Sequence, residues 1–271
     1  MSSDLALRLV PDELWELVEP LVPGFAPRRQ GGGTAGVDDR AVFTAIVYVL
    51  TSGCAWRHLP GEFGVSVPTA HRRFTAWTKA GLWPRLHHAV LDQLGARGQV
   101  DWASAIVDAA AVRSKRGTLT GPNPVDRGKK GSKLHVLSDA AGLPLVVGVS
   151  AANLHDSQAL KPLLMALPEI RSRRGPRRRR PVKLRADKAY HSAEHLAWLR
   201  QRGITPRIAR PGIESGERLG RHRWKIERTL AWLFGYRRLT IRYEHHSHLF
   251  AAFLTLAAAI TCYKKLAQLS T

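Results

Sequence analysis

Apolar and polar positions follow two different patterns along the chain. Up to about residue 98 the apolar residues recur every three or four positions: in PDELWELVEPLV (11–22), DDRAVFTAIVYVLTSG (38–53) and SVPTAHRRFTAWTKAGLW (66–83). That spacing predicts three short helices, the second capped by Asp38 or Asp39 and stopped by Gly53. PGFAPRRQGGGTAG (23–36) interrupts them with the glycine and proline content of a flexible loop.

After Trp102 short apolar runs replace the helical spacing. SAIVDAAAV (104–112) predicts one strand, and KLHVLSDAAGLPLVVGVSAAN (133–153) predicts two around the turn 139–142. HDSQALKPLLMAL predicts a helix, VKLRADKAYHS a strand with an acid at its end, HLAWLRQRG a helix and ITPRIA a strand. A later helix carries Ile226, Leu230, Leu233 and Phe234 as its packing stripe, with Arg223 and Glu227 on a neighbouring face. The pattern predicts an α/β fold with a mixed sheet covered by helices (99–271), preceded by an all-helical region (1–98). LFAAFLTLAAAITCY (249–263) is shorter than the roughly 20 residues that cross a bilayer, so it predicts a buried helix and no membrane partner.

Charge adds a partner to this picture. Lys and Arg number 42 against 21 Asp and Glu, a formal net charge of +21 in 271 residues. So large an excess calls for a polyanion, and nucleic acid is the expected one. WRHLPGEFGVSVPTAHRRF (56–74) has the order helix, Pro-Gly turn, helix, with Ser66 as N-cap, and exposes His71, Arg72 and Arg73 on its last element. That is a helix-turn-helix candidate for DNA contact. RSRRGPRRRRP (171–181) predicts a basic loop for which phosphate contact and plain solvation fit equally.

Several chemistries find no support. The two cysteines, Cys54 and Cys262, form no CxxC pair, which argues against a disulfide framework or zinc knuckle and fits a reducing, cytoplasmic setting on DNA. The opening residues carry early acids and no long apolar core, unlike a signal peptide. No phosphate-binding GxxxxGK[ST] loop or GxGxxG turn occurs. His245, His246 and His248 lack the neighbouring pattern of a zinc site; in ANLHDS, His155 and Asp156 suit a metal site less well than the stretch suits a helix start, with Asn153 or Asp156 as its cap.

Two acids remain in unexpected surroundings. Asp108 ends the run SAIVD and Asp187 ends VKLRAD. A carboxylate at the end of a buried strand is costly unless a cation, hydrogen bonds or a metal meets it. Carboxylates are the ligands Mg²⁺ prefers, and two such ions about 3.5–4 Å apart serve phosphodiester displacement. Glu227 is the one carboxylate of GRHRWKIERTLAWLFGYRRL (220–239), where an ion pair with Arg223 and a metal-binding role both fit.

Asp108 in IVDAAAVRSKRG, GKKGSKLHVLSDAAGLPLVV, ANLHDS, Asp187 in ADKAYHS and Glu227 in RWKIERTLAWLFGYRRLTIRYE occur in an order that resembles the DDE transposases of bacterial insertion sequences, specifically the insertion sequence 5 family. AVFTAIVYVLTSGCAWRHLP and HRRFTAW resemble that family's N-terminal DNA-binding region. The resemblance implies an RNase H-like catalytic core in which Asp108, Asp187 and Glu227 form the acid triad and bind two Mg²⁺ or Mn²⁺ ions. It also implies cleavage at transposon ends, strand transfer into target DNA, and assembly as a dimer or higher oligomer on terminal inverted repeats and target DNA. In the Tyr-Arg-Glu-Lys signature of such enzymes Arg223 and Glu227 match, while Gly220 and Phe234 stand in the tyrosine and lysine places. Expected DNA contacts are His71, Arg72, Arg73, Lys129, Lys130, Lys133, Lys188, Arg223 and Arg228. The rival expectations are an RNase H-like nuclease or resolvase, and a non-catalytic DNA-binding regulator.

Overall fold

The computed structural model describes residues 2–24, 36–210 and 216–269, with the side chains of 2–3 and 216–223 excepted. Most of the glycine-rich loop at 23–36 and the side chain of Arg223 therefore lie outside the described residues. Helices α1 (Ser2–Leu9), α2 (Asp12–Val18), α3 (Asp39–Ser52), α4 (Val67–Lys79) and α5 (Leu82–Ala96) come first. The sheet follows with β1 (Ala105–Ser114), β2 (Gly121–Pro122), β3 (Lys130–Asp139) and β4 (Pro144–Ala151), then α6 (Leu160–Met165), β5 (Lys183–Ala186), α7 (Ala193–Gln201) and β6 (Thr205–Ile208). Helix α8 (Gly216–Phe234), β7 (Ile241–Arg242) and α9 (Ser247–Ala267) complete it.

Local chemistry sets many of the boundaries. Asp38 caps α3 by accepting from the backbone amides of Arg40 and Ala41 at 3.2 and 3.0 Å. Gly53 closes α3 at φ 72°, and a Cβ there would lie 2.7 Å from Arg237 Cβ, so both conformation and space demand glycine. Ser66 caps α4, as expected. The stretch 66–83, expected as one helix, is two, because Gly81 takes φ 71° and starts α5. The helix expected ahead of the Pro-Gly turn is reduced to one 3-10 turn, Trp56–His58, and a second, Gly61–Phe63, follows Pro60.

Strand order runs β2-β3-β1-β5-β6, with β4 on β3 and β7 on the far end of β1. Strand β1 is antiparallel to β3 and parallel to β5, and β5 is parallel to β6. Three antiparallel strands followed by two parallel ones, with helices between and after them, make an RNase H-like α/β core. Asp139 organises the β3–β4 turn by accepting from the amides of Asp101, Ala141 and Leu143 at 2.8–2.9 Å. Helix α9 packs on α5 and β4, so the helical region and the sheet share one apolar core. By length and hydropathy α9 could cross a membrane, yet 72% of its apolar window is buried inside the protein.

Two buried histidines lie in that core. His87, on α5, meets the Pro144 carbonyl at 2.9 Å, and His135, on β3, meets Ser150 Oγ at 2.7 Å. Burial lowers both from the ordinary 6.5 to about 4. Groups depressed in the folded state bind more protons when unfolded, so they stabilise above pH 6.5 and lose that effect as pH falls toward 4. Burial of Asp139 raises its carboxyl to about 6, which acts in the opposite direction over a similar window. Two histidines outweigh one acid, so the urea midpoint is expected to fall between pH 6.5 and 4. A His87→Gln variant is expected to show a shallower decline.

Candidate active site

The parallel register of β1 and β5 places the two aspartates. Ala105 pairs with Leu184 and Ile106 with Arg185. Continued residue for residue, that register would bring Asp108 level with Asp187, but β5 ends at Ala186 and Asp187 belongs to the turn that follows. Asp108 is not at a strand end, as its run suggested: AAAV continues β1 to Ser114, and it is β5 that stops at Ala186. The sheet is thus open on one side at Asp108. Its Oδ1 accepts from the Ala109 amide at 2.8 Å, and Asp187 caps a 3-10 turn by accepting from the Ala189 amide.

That turn ends at Tyr190, which is 1% exposed and whose hydroxyl has no hydrogen-bond partner among the described residues. Burial raises its pKa, and the negative charges of Asp156, Asp108 and Asp187 raise it further. Three carboxylates therefore bear on one buried phenol. Asp156 was expected as a helix cap, but His155 takes the capping position, accepting from the Ser157 amide. Asp156 instead pairs with Lys133 at 2.7 Å, and the same ammonium donates to the Leu154 carbonyl at 2.7 Å. An Asp inside a local capping motif gives no sequence signal that distinguishes these two roles.

Glu227 lies on α8, whose expected stripe is buried at Ile226, Leu230 and Leu233, with Phe234 partly buried. Lys225 Nζ donates to the Ala140 carbonyl at 2.8 Å, Arg228 Nη2 to Ala141 at 2.6 Å and Thr229 Oγ1 to Gly142 at 2.5 Å. Gly142 has φ 91°, and a Cβ there would press on Lys225 O and Thr229 Oγ1 at 3.0 Å. At 3.6 residues per turn, Glu227 falls on the opposite flank of the apolar stripe from Lys225 and Thr229. The turn thus fixes one flank of α8 and leaves Glu227 on the other, exposed.

The basic candidates divide. His71 and Arg72 are exposed on α4, Lys129 and Lys130 at the start of β3, and Lys188 beside Asp187. Arg73 lies against Asp39 at 3.3 Å, and Lys133 is committed to Asp156. Arg228 sits between Trp224 and Trp232, its guanidinium 4.7 and 4.6 Å from their rings. In the basic loop, Arg177 binds Asp92 through both terminal nitrogens at 2.9 Å, so at least this arginine is structural.

Divalent cations fit Asp108 and Asp187 in chemistry: both offer hard oxygen donors, and both act electrostatically on the buried Tyr190 hydroxyl, which has no hydrogen-bond partner among the described residues. Among the described residues no three His, Cys, Asp or Glu side chains are gathered closely enough to hold one ion.

Comparison with known proteins agrees with this architecture. The family "Putative transposase of IS4/5 family" matches residues 10–87, and "Transposase DDE domain" matches residues 104–262. A putative transposase for insertion sequence element IS402 from Burkholderia cepacia is 46% identical over 147 residues, 54% of this chain and 70% of that protein. A 16.2 kDa protein of the same element is 43% identical over 112 residues, 41% of this chain and 76% of the other. A solved piggyBac transposase synaptic complex with hairpin DNA aligns with 97% of this chain and 75% of its own at 10% identity and TM-score 0.43, too distant to bear on the assignment. With more than half of the chain matched by one domain family and the preceding helices by another, the protein belongs to the DDE transposases of the IS4/5 group.

Proposed function

We propose that this transposase cuts DNA at the ends of its element and joins the freed 3′-hydroxyl to target DNA, with Asp108, Asp187 and Glu227 as its acid triad. The observation that supports the assignment is that Asp108 on β1 and Asp187 just past the end of β5, parallel neighbours in the sheet, both act electrostatically on the buried Tyr190. Glu227 would be contributed from the flank of α8 opposite the one that meets the β3–β4 turn. The three would hold divalent cations, two Mg²⁺ or Mn²⁺, which supply electrostatic stabilisation to an in-line displacement at phosphorus. The chemistry is one of exchange: water attacks the phosphodiester and the 3′-oxygen leaves, then that hydroxyl attacks a target phosphodiester, one P–O bond forming as another breaks.

The residues around the acids position DNA. Lys188 stands next to Asp187, and Lys129 and Lys130 are exposed at the start of β3, where they would hold phosphates. His71 and Arg72 on α4 would meet the terminal inverted repeats, in the helical region that we assign to 1–98, ahead of a catalytic region at 99–271. Arg73 and Lys133 serve instead as ion-pair partners of Asp39 and Asp156. Two ends must be joined in one reaction, so the working form is at least a dimer.

A nuclease on the same fold would use the same acids but would not join ends. Strand transfer with pre-cut ends separates the two readings. Joined product that depends on a free 3′-hydroxyl is expected, whereas nicking of the target without joining would favour a nuclease.

A further inference from the structure

The two strands beyond β1 carry cations where a parallel sheet usually carries a second apolar face. Parallel strands are commonly covered on both sides and read as continuous apolar runs. In β5 and β6 one side follows that rule: Leu184, Ala186 and Ile208 are buried. The other side does not, since Lys183 and Arg185 are half-buried and Thr205 and Arg207 are exposed. Register fixes which side this is. Arg185 pairs with Ile106 on β1 and with Arg207 on β6, so the three side chains share one face. Asp108 lies two residues beyond Ile106 on β1, and therefore on that same face. With strands about 4.8 Å apart and about 3.3 Å per residue, the Arg185 backbone stands about 8 Å from that of Asp108, and the Arg207 backbone about 12 Å.

Like charges in register on adjacent strands repel. The charge that bears on Arg185 is that of Arg207. Among the described residues no carboxylate pairs with either guanidinium, and Arg185 Nε finds no hydrogen-bond acceptor. Elsewhere in the chain arginines are answered: Arg113 by Asp126, Arg177 by Asp92 and Arg238 by Glu244. Packing of its aliphatic stem along the sheet accounts for the half-burial of Arg185. It does not account for a second guanidinium in the neighbouring register with no counter-charge.

An anion shared by the two removes the repulsion, and the paired oxygens of a phosphodiester suit the forked donors of guanidinium groups. We propose that Arg185 and Arg207 together hold a backbone phosphate of the DNA strand that reacts at the acids, next to the scissile one. The inference rests on the placement of the reaction at Asp108 and Asp187. Both arginines are positioning residues: they fix the strand along the open face of the sheet and touch none of the reacting atoms. Lys183, on the same face at the start of β5, extends the track away from the acids.

The test is binding of the whole protein to element-end duplexes that each carry one neutral methylphosphonate, without divalent metal so that no strand is cut. Neutralising a phosphate adjacent to the junction of element and flank should weaken wild-type binding on the order of fivefold. The same replacement should change binding by the double variant Arg185→Gln, Arg207→Gln less than about twofold, because the contact is already lost. The double variant should also reduce the slope of log affinity against log salt by about 1, as expected for one phosphate contact. Lys161→Gln, at the ion pair with Glu194, controls for bulk charge and should keep the wild-type slope and sensitivity. With Mg²⁺ and saturating DNA, the double variant should cleave roughly tenfold more slowly, the cost of a misplaced strand. An Asp108→Asn protein that cleaves as wild type would sink the reading of the acids, whereas the binding series tests the arginines independently of it. Equal sensitivity of wild type and double variant at every position, or sensitivity lost only at positions remote from the junction, would overturn the proposal.

Discussion

Asp108→Asn is expected to lower cleavage of the element's ends by on the order of 10³-fold or more, the scale seen when a charge-stabilising group is removed from a reacting centre. Binding to the same DNA should change less than about threefold, because affinity for a duplex is dominated by phosphate contacts with the many cations of a +21 chain. Glu227→Gln should show the same separation. The substitutions keep size and hydrogen-bonding capacity, so loss of chemistry with a retained gel shift reports on charge at the reacting centre. If Glu227 served only as a surface ion-pair partner, its substitution would leave cleavage within a few-fold of wild type.

The second large effect concerns stability. Arg238 and Glu244 are both buried, with Arg238 Nη2 and Nε at 2.6 and 2.7 Å from Glu244 Oε1. Arg238 Nη1 also donates to the Cys54 carbonyl at 2.7 Å, tying the end of α3 to the segment that follows α8. Glu244→Ala leaves a guanidinium buried without its counter-charge, which costs about 3–5 kcal/mol. A fall in melting temperature on the order of 10 °C is expected by calorimetry. Replacing both residues by apolar ones of similar volume should be milder, since no charge is then stranded.

Much of this molecule is legible from residue order because its local and tertiary signals agree. Strands with apolar runs, the Asp139 turn and the α8 stripe all appear where pattern and turn chemistry place them. The short strands β2 and β7 are not legible, as two residues carry no period. Helix α5 was hidden by its continuity with α4 across Gly81, whose positive φ has no signature beyond glycine itself. In the candidate site, Asp108 and Asp187 stand out as acids in apolar runs. Their placement on parallel neighbouring segments does not, since parallel pairing depends on a crossover remote in sequence. Asp156, read as a cap, and Tyr190 escaped for a related reason: their relation to the two acids exists only after the 3-10 turns at Asp156–Ala159 and Lys188–Tyr190 pack together. The nine basic candidates were chosen by type, and their partners decide among them: Asp39 and Asp156 occupy Arg73 and Lys133, leaving Lys129, Lys130 and Lys188 exposed.

The claim that these acids hold the metal is tested most directly by where a bound metal cuts the chain. With Fe²⁺ in place of Mg²⁺ in the complex with terminal DNA, ascorbate and peroxide generate hydroxyl radicals at the bound ion, and fragment masses locate the backbone breaks. Breaks are expected around residues 108, 187 and 227, suppressed together by excess Mg²⁺ and lost in Asp108→Asn. Breaks confined to other segments, or an unchanged pattern in Asp108→Asn, would contradict it.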